Sequence, residues 1–192
     1  MTTTGAIILT GGGARRLGGV DKASVRVGEA TLLEHALAAA ARCAPVVIVG
    51  PVAPGHPDVV FTREDPPGGG PVAAIAAGFG VMTDDSSRVL VLACDMPHAH
   101  EAVPALLEAL EGPGADGVDG AWATDRDSRA QPLLAVYRRE SLTRALAALG
   151  DPHGASMRAL ASPLVMRTVP VGGAARDADT WDDVMALREE WR

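Results

Sequence analysis

The chain has 192 residues, a net charge of −7, 3% aromatic residues and two cysteines. That length suits one domain with a sizeable core, residues 1–192, while the acidic balance excludes a surface that grips many nucleic-acid phosphates. Cys43 and Cys94 form no CxxC pair or framework spacing, no positive leader precedes the first apolar run, and no run is long enough for a membrane span, so a soluble cytoplasmic protein is expected, with no nucleic-acid or membrane partner.

Short β-branched runs alternate with Ala/Leu segments of helical period, which predicts a layered α/β domain with a mostly parallel central sheet. A strand is expected over 5–10, then a helix in "LLEHALAAAARC" with Leu33, Ala36, Leu37 and Ala40 on one face. "PVVIVG" and "DVVFTR" read as the next two strands. "PVAAIAAGFGVM" reads as a helix with Pro71 in its first turn, "RVLVLAC" as a central buried strand, and "EAVPALLEALEG" as a helix closed by Gly112. Two strands, "GVDGAWATD" and "AQPLLAVYRR", flank a turn at "RDSR", followed by helices near 139–149 and 155–161 and a strand near 164–169. The last helix, in "TWDDVMALREEW", offers Trp181, Val184, Met185, Leu187 and Trp191 as a docking face. Asp177, Asp179, Asp182 and Asp183 suit its N-terminal cap.

The densest chemistry lies in "LTGGGARRLGGVDK", residues 9–22, where five glycines, two arginines and a lysine follow a strand. Bare backbone lets N–H groups approach anionic oxygens and the cations neutralise them, so a phosphate-rich ligand is expected. A Walker A loop is excluded, because Gly18 is followed by Gly19 and not by lysine. A dinucleotide fingerprint fails as well, because counting from Gly11 and Gly13 puts Arg16 where a small residue is needed.

The spacing L-x-G-G-x-x-x-R-x-G-x-x-x-K resembles the signature of nucleotidyltransferases, and within them most closely that of the molybdenum cofactor guanylyltransferases. The resemblance continues in order through "REDPPGGGPVAAI", "LACDMP", "AQPLLAVY" and "DADTWDDV". It implies a three-layer Rossmann-like nucleotidyltransferase fold. It also implies transfer of GMP from Mg-GTP to molybdenum-bound molybdopterin, with pyrophosphate released, so Mg2+ is the expected cofactor and GTP and molybdopterin the expected partners. Molybdoenzymes or other cofactor-biosynthesis proteins are the macromolecular partners it suggests.

Carried over residue by residue, Leu9, Thr10, Gly11, Gly12 and Gly13 resemble the nucleotide-facing turn, and Arg16 and Lys22 the triphosphate ligands. Asp65 matches an aspartate that contacts the nucleotide, Gly70-Pro71 the start of the following helix, and Asp95 the magnesium-carrying aspartate of C-D-x-P. Arg16, Lys22 and Asp95 are therefore the catalytic candidates. Asp65 equally suits turn initiation in "REDPP", and Lys22 also reads as an exposed loop lysine that contributes little to stability.

Two departures bear on specificity. "VIVGP" lacks the asparagine common in the family at the end of the second strand, which leaves base recognition at Val49 and Gly50 to backbone or neighbours. Asp177 and Asp179 replace two asparagines, and Trp181 a proline; this D-x-D-T form is familiar from related cytidylyltransferases and makes Asp179 a candidate second metal ligand. Alternatives are thus a cytidylyltransferase or other NMP transferase on the same fold, or a non-catalytic cofactor-delivery protein. The paired glycines 11–12 lean against the cytidylyl branch, and joint retention of Arg16, Lys22 and Asp95 leans toward turnover. In "CDMPHAH", Cys94, Asp95, His98 and His100 are chemically able zinc ligands, but a strand-end cysteine more commonly faces the core. The acceptor is expected near "RDSRAQP" and the glycines of "PPGGGP".

Overall fold

The computed structural model describes residues 3–11, 20–83 and 85–191. In chain order the elements are β1 (Thr4–Leu9), a 3-10 turn (Lys22–Ser24), β2 (Arg26–Val27), β3 (Ala30–Thr31), α1 (Leu32–Ala39), β4 (Val46–Val49), β5 (Val60–Thr62) and α2 (Gly70–Gly80). They continue as β6 (Arg88–Ala93), α3 (Ala99–Glu108), β7 (Gly120–Thr124), β8 (Ala130–Arg138), α4 (Arg139–Leu149), α5 (Met157–Ala161), β9 (Met166–Pro170), a second 3-10 turn (Gly172–Ala175) and α6 (Trp181–Glu190).

Seven strands form one sheet in the order β5-β4-β1-β6-β8-β7-β9. Neighbours from β5 to β6 are parallel, β8 runs antiparallel to both β6 and β7, and β9 is parallel to β7. The strands' two-residue period divides the core into two layers. Ala6, Ile8, Ile48, Leu90, Leu92, Leu134 and Val136 pack with Leu33 and Ala36 of α1 and Leu106 of α3. The alternate residues Ile7, Leu9, Val47, Val49, Val89, Val91 and Tyr137 pack with Val72 and Ile75 of α2, Leu142 of α4 and Leu160 of α5. The fold is therefore the expected three-layer α/β arrangement, with helices on both faces.

Element ends differ from the sequence reading for local reasons. α1 stops at Ala39 and runs into tight turns, in which Ala41 N–H donates to the Ala38 carbonyl and Cys43 N–H to that of Ala40. α3 stops at Glu108 and its last turn tightens: Leu110 N–H donates to Leu107 and Glu111 N–H to Glu108. The β2–β3 hairpin was not expected, although Val25 and Val27 alternate ahead of Gly28, whose φ of +62° suits the turn.

That hairpin and α6 share a small core of Val25, Val27, Leu32, Ala178, Val184 and Leu187, with Trp191 packed against it. The expected docking face is corrected here, because Trp181 and Met185 are 42% and 51% exposed. Val184, Leu187 and Trp191 lie at i, i+3 and i+7, whereas Trp181 and Met185 lie four apart on the neighbouring stripe. The cap is narrower than expected too: Thr180 and Asp183 form a reciprocal capping box, while Asp179 turns elsewhere.

Asp119 ties three elements together just before β7. Its Oδ1 accepts from Ser141 Oγ at 2.5 Å and Arg144 at 2.9 Å, and its Oδ2 accepts from Val165 N–H at 2.8 Å. Burial opposes the charged form, but these donors outweigh it and hold the carboxyl below its ordinary range. Asp119→Ala strands the Ser141 and Val165 donors, so a stability loss of about 1–3 kcal/mol is expected in urea unfolding. A depressed folded-state pKa gives stability that is present above the ordinary carboxylate range and lost as pH falls through the folded value. Unfolding free energy of the wild type should consequently fall more steeply on acidification than that of Asp119→Ala; parallel curves would show that the donors do not favour the carboxylate.

Candidate active site

The carboxyl ends of β1, β4, β5 and β6 open into a cleft of about 760 Å³, a size that accommodates a small-molecule ligand. At its floor, Thr10 donates from both N and Oγ1 to the carbonyl of Val49, at 3.1 and 3.2 Å. Gly50 follows with a φ of +152°, and a Cβ there would come within 2.0 Å of Thr10 Oγ1, so the turn must stay bare. α2 begins beside the cleft at Gly70-Pro71, and Gly68, Gly70, Pro71 and Ala74 line that wall. Its N-terminal partial positive charge favours an anion.

The opposite end is built by three segments far apart in sequence. Asp95 follows the wholly buried strand β6, with Cys94 N–H held by Leu9 carbonyl at 3.0 Å. Lys22 opens its 3-10 turn under a cap from Asp21, whose Oδ1 accepts from Ala23 N–H at 3.1 Å. Asp179 arrives from the C-terminal segment, which Ala178 N–H pins to the Asp95 carbonyl at 2.9 Å. Lys22 Nζ lies 2.7 Å from Asp95 Oδ2 and 2.5 Å from Asp179 Oδ1.

Burial opposes the Lys22 charge, but Asp95 and Asp179 outweigh it and hold the ammonium above the ordinary lysine range. Lys22 is only 15% exposed, which corrects the exposed-lysine reading. Burial, then the charges of Asp179 and Asp95, push the nearby Asp177 carboxyl up. Asp95 Oδ1 is buried and has no hydrogen-bond partner among the described residues. An oxygen so placed is costly unless something binds it, and with Asp179 it supplies the hard donors that a small divalent cation prefers.

Of the sequence candidates, Leu9, Thr10, Gly11, Lys22, Asp95 and Asp179 come together on this cleft. Gly12, Gly13 and Arg16 lie outside the described residues. Asp65 is exposed and absent from the cleft wall, where the neighbouring Arg63 and Glu64 stand instead. These two were missed because they lie in the irregular stretch just past β5, which ends at Thr62, where strand periodicity no longer says which side chains face the cleft. The charged pair at a strand's carboxyl end was the available signal.

The zinc candidates do not converge: among the described residues no three histidines, cysteines or carboxylates are grouped to hold a metal. Trp191 Nε1–H donates to His98 Nε2 at 3.0 Å, leaving Nδ1–H for Glu101 at 3.1 Å. His100 faces the Pro97 carbonyl, and Cys94 is buried, with its thiol pushed up to about 12 by burial and then by Asp95. Among the described residues no helix is long and apolar enough to cross a membrane.

Residues 6–167 match the family model described as the MobA-like NTP transferase domain. A protein named probable molybdenum cofactor guanylyltransferase from Methanosarcina acetivorans is 33% identical over 151 residues, a match spanning 71% of this chain but 64% of that relative's length. The molybdenum cofactor guanylyltransferase of Shewanella amazonensis is 31% identical over 152 residues, covering 74% of each chain. The crystal structure of molybdopterin-guanine dinucleotide biosynthesis protein A from Archaeoglobus fulgidus shares the fold, with a TM-score of 0.69 at 20% identity over 98% of both chains. On the extent of the family match and the relatives' coverage, the chain belongs to the MobA-like NTP transferase family.

Proposed function

We propose that the protein is a nucleotidyltransferase that moves GMP from magnesium GTP to the terminal phosphate of molybdenum-bound molybdopterin. In that reaction an acceptor phosphate oxygen bonds to the α-phosphorus of GTP while the bond to the bridging β-phosphate oxygen breaks, so pyrophosphate leaves. Two anions must be brought together, and the demand on the protein is alignment and neutralisation more than a strong base. The observation that carries the reading is the convergence of Lys22, Asp95 and Asp179 at the end of a cleft whose wall also includes Gly11, Gly50, Gly68 and Gly70.

Lys22 supplies a charge that stays on at any working pH, and its two carboxylate contacts fix where the ammonium stands. The N-terminus of α2 and the backbone at Gly11 present polar hydrogens to the ligand's oxygens without needing to reorganise. Asp95 and Asp179 would hold magnesium, which when bound supplies Lewis-acid neutralisation of phosphate oxygens. The orphaned Asp95 Oδ1 is the feature of this chain that fits such an ion.

A cytidylyl reading draws on one feature, the D-x-D-T sequence at Asp177, Asp179 and Thr180. Both readings are tested by incubating the purified protein with magnesium, molybdenum-loaded molybdopterin and each of the four nucleoside triphosphates in turn. Mass spectrometry of the product is expected to show the guanine dinucleotide, with pyrophosphate released in equal amount. A cytosine dinucleotide would establish the second reading, and nucleotide binding without pyrophosphate would leave only a delivery role.

A further inference from the structure

Asp179 reaches the cleft on an arm, residues 176–191, that is tied at both ends to the segment carrying Asp95. At one end Ala178 N–H donates to the Asp95 carbonyl at 2.9 Å. At the other, beyond the ten residues and roughly 15 Å of α6, Trp191 Nε1–H donates to His98 Nε2 at 3.0 Å. The seat of the indole is shaped for it. A Cβ on Gly28 would come within 2.9 Å of Trp191 Cε3, and His35 meets the indole edge-on with ring centroids 4.4 Å apart. His35 Nε2 is engaged by the Val27 carbonyl at 2.9 Å, so the imidazole that takes the indole hydrogen is that of His98. His98 precedes α3, but its side chain makes no capping hydrogen bond, so helix initiation does not account for it.

We propose that Trp191 and His98 are positioning residues for the transfer reaction: their hydrogen bond clasps the far end of α6 to the Asp95 segment and so fixes Asp179 against Lys22. The inference rests on the nucleotidyl-transfer reading above and deepens it by naming groups remote from the phosphates that hold the site in shape. A single tie at Ala178 leaves the arm free to pivot there, and the second tie removes the pivot. The apolar contacts of Val184 and Leu187 keep α6 docked, but they are non-directional. A hydrogen bond between two aromatic side chains sets the helix's register as well. Register matters here because Asp179 is 39% exposed and meets Lys22 through one oxygen, at 2.5 Å. A charge site acts through groups already in place, so a small shift of that oxygen weakens both the hold on Lys22 and the transfer.

Three variants test it. Trp191→Phe keeps an aromatic ring and removes the N–H, His98→Leu removes the acceptor, and His98→Gln returns one, its side-chain carbonyl taking the place of Nε2. Lys22 is the chain's only lysine, so labelling with 15N-lysine gives a single side-chain ammonium signal in NMR. The rate at which its hydrogens exchange with water, at fixed pH and with a chelator present, reads how firmly the carboxylates hold it, apart from any turnover. Trp191→Phe and His98→Leu are expected to exchange about fivefold faster, the worth of one net hydrogen bond, and His98→Gln at the wild-type rate. In an Asp179→Asn background Trp191→Phe should add nothing to the exchange rate, and its severalfold loss of pyrophosphate release should vanish as well. Wild-type exchange in both Trp191→Phe and His98→Leu would show that the arm is held without the clasp. Equal acceleration with and without Asp179 would mean that Trp191 acts on the fold as a whole, and unchanged pyrophosphate release by Trp191→Phe would remove it from the reaction; each overturns this inference alone. A wild type that releases no pyrophosphate from any nucleoside triphosphate would overturn the transfer reading, while the ammonium rates would still decide the clasp.

Discussion

Asp95→Asn is expected to keep its fold and lose roughly a hundredfold or more of its magnesium-dependent pyrophosphate release, the scale at which single preorganised electrostatic contacts act. The fold should survive because asparagine is nearly the same size and its carbonyl can still accept from Lys22, now held by Oδ2 at 2.7 Å. The buried Oδ1 has no partner among the described residues, so an amide nitrogen in its place forfeits no existing bond. What the variant loses is charge, and with it a hard oxygen donor held by the end of a rigid, fully buried strand. Asp179→Asn should be milder, since that side chain is 39% exposed and sits on a segment anchored through Ala178. Circular dichroism checks the fold, and magnesium titration of pyrophosphate release checks the role. Normal turnover of Asp95→Asn at limiting magnesium would remove Asp95 from the metal, and greater damage in Asp179→Asn would move the principal ligand to the C-terminal segment.

The sheet was legible because its strands are buried on both faces and read as uninterrupted apolar runs: "AIIL", "VVIV" and "VLVL" each became a core strand. The strand-end position of Asp95 followed from the same pattern. Its partners did not, because nothing in local spacing says that Lys22 and Asp179, 157 residues apart, meet on one carboxylate-lined spot. That meeting depends on the β2–β3 hairpin and α6 sharing a core, and two-residue strands leave almost no periodic signal. Asp65 shows the reverse difficulty. Its motif match identifies the stretch that follows β5 but not which side chains of that stretch face the cleft, and Arg63 and Glu64 stand in the cleft wall where Asp65 does not.

Lys22→Met is expected to impair both stability and turnover, in contrast to an exposed loop lysine, whose loss would affect catalysis alone. Its ammonium bridges Asp95 and Asp179, so removal leaves two carboxylates facing each other across a partly buried site, with Asp177 close behind. A fully buried pair broken on one side costs about 3–5 kcal/mol and an exposed one at most about 1 kcal/mol. With Lys22 at 15% exposure but Asp179 at 39%, solvent screens part of the effect, and about 1–3 kcal/mol is expected in urea at low salt, shrinking as salt is added. Turnover should fall by a further 2–4 kcal/mol of transition-state stabilisation, roughly, because the missing charge is one the developing phosphate negative charge requires. The two losses separate in a cycle with Asp95→Asn. If the stability cost arises from repulsion between the two carboxylates that Lys22 bridges, Lys22→Met should destabilise the Asp95→Asn background less than the wild type, since one of the two charges is already gone. Equal destabilisation in both backgrounds would show that the bridge is not what Lys22 contributes to the fold, and near wild-type pyrophosphate release by Lys22→Met would remove it from the triphosphate.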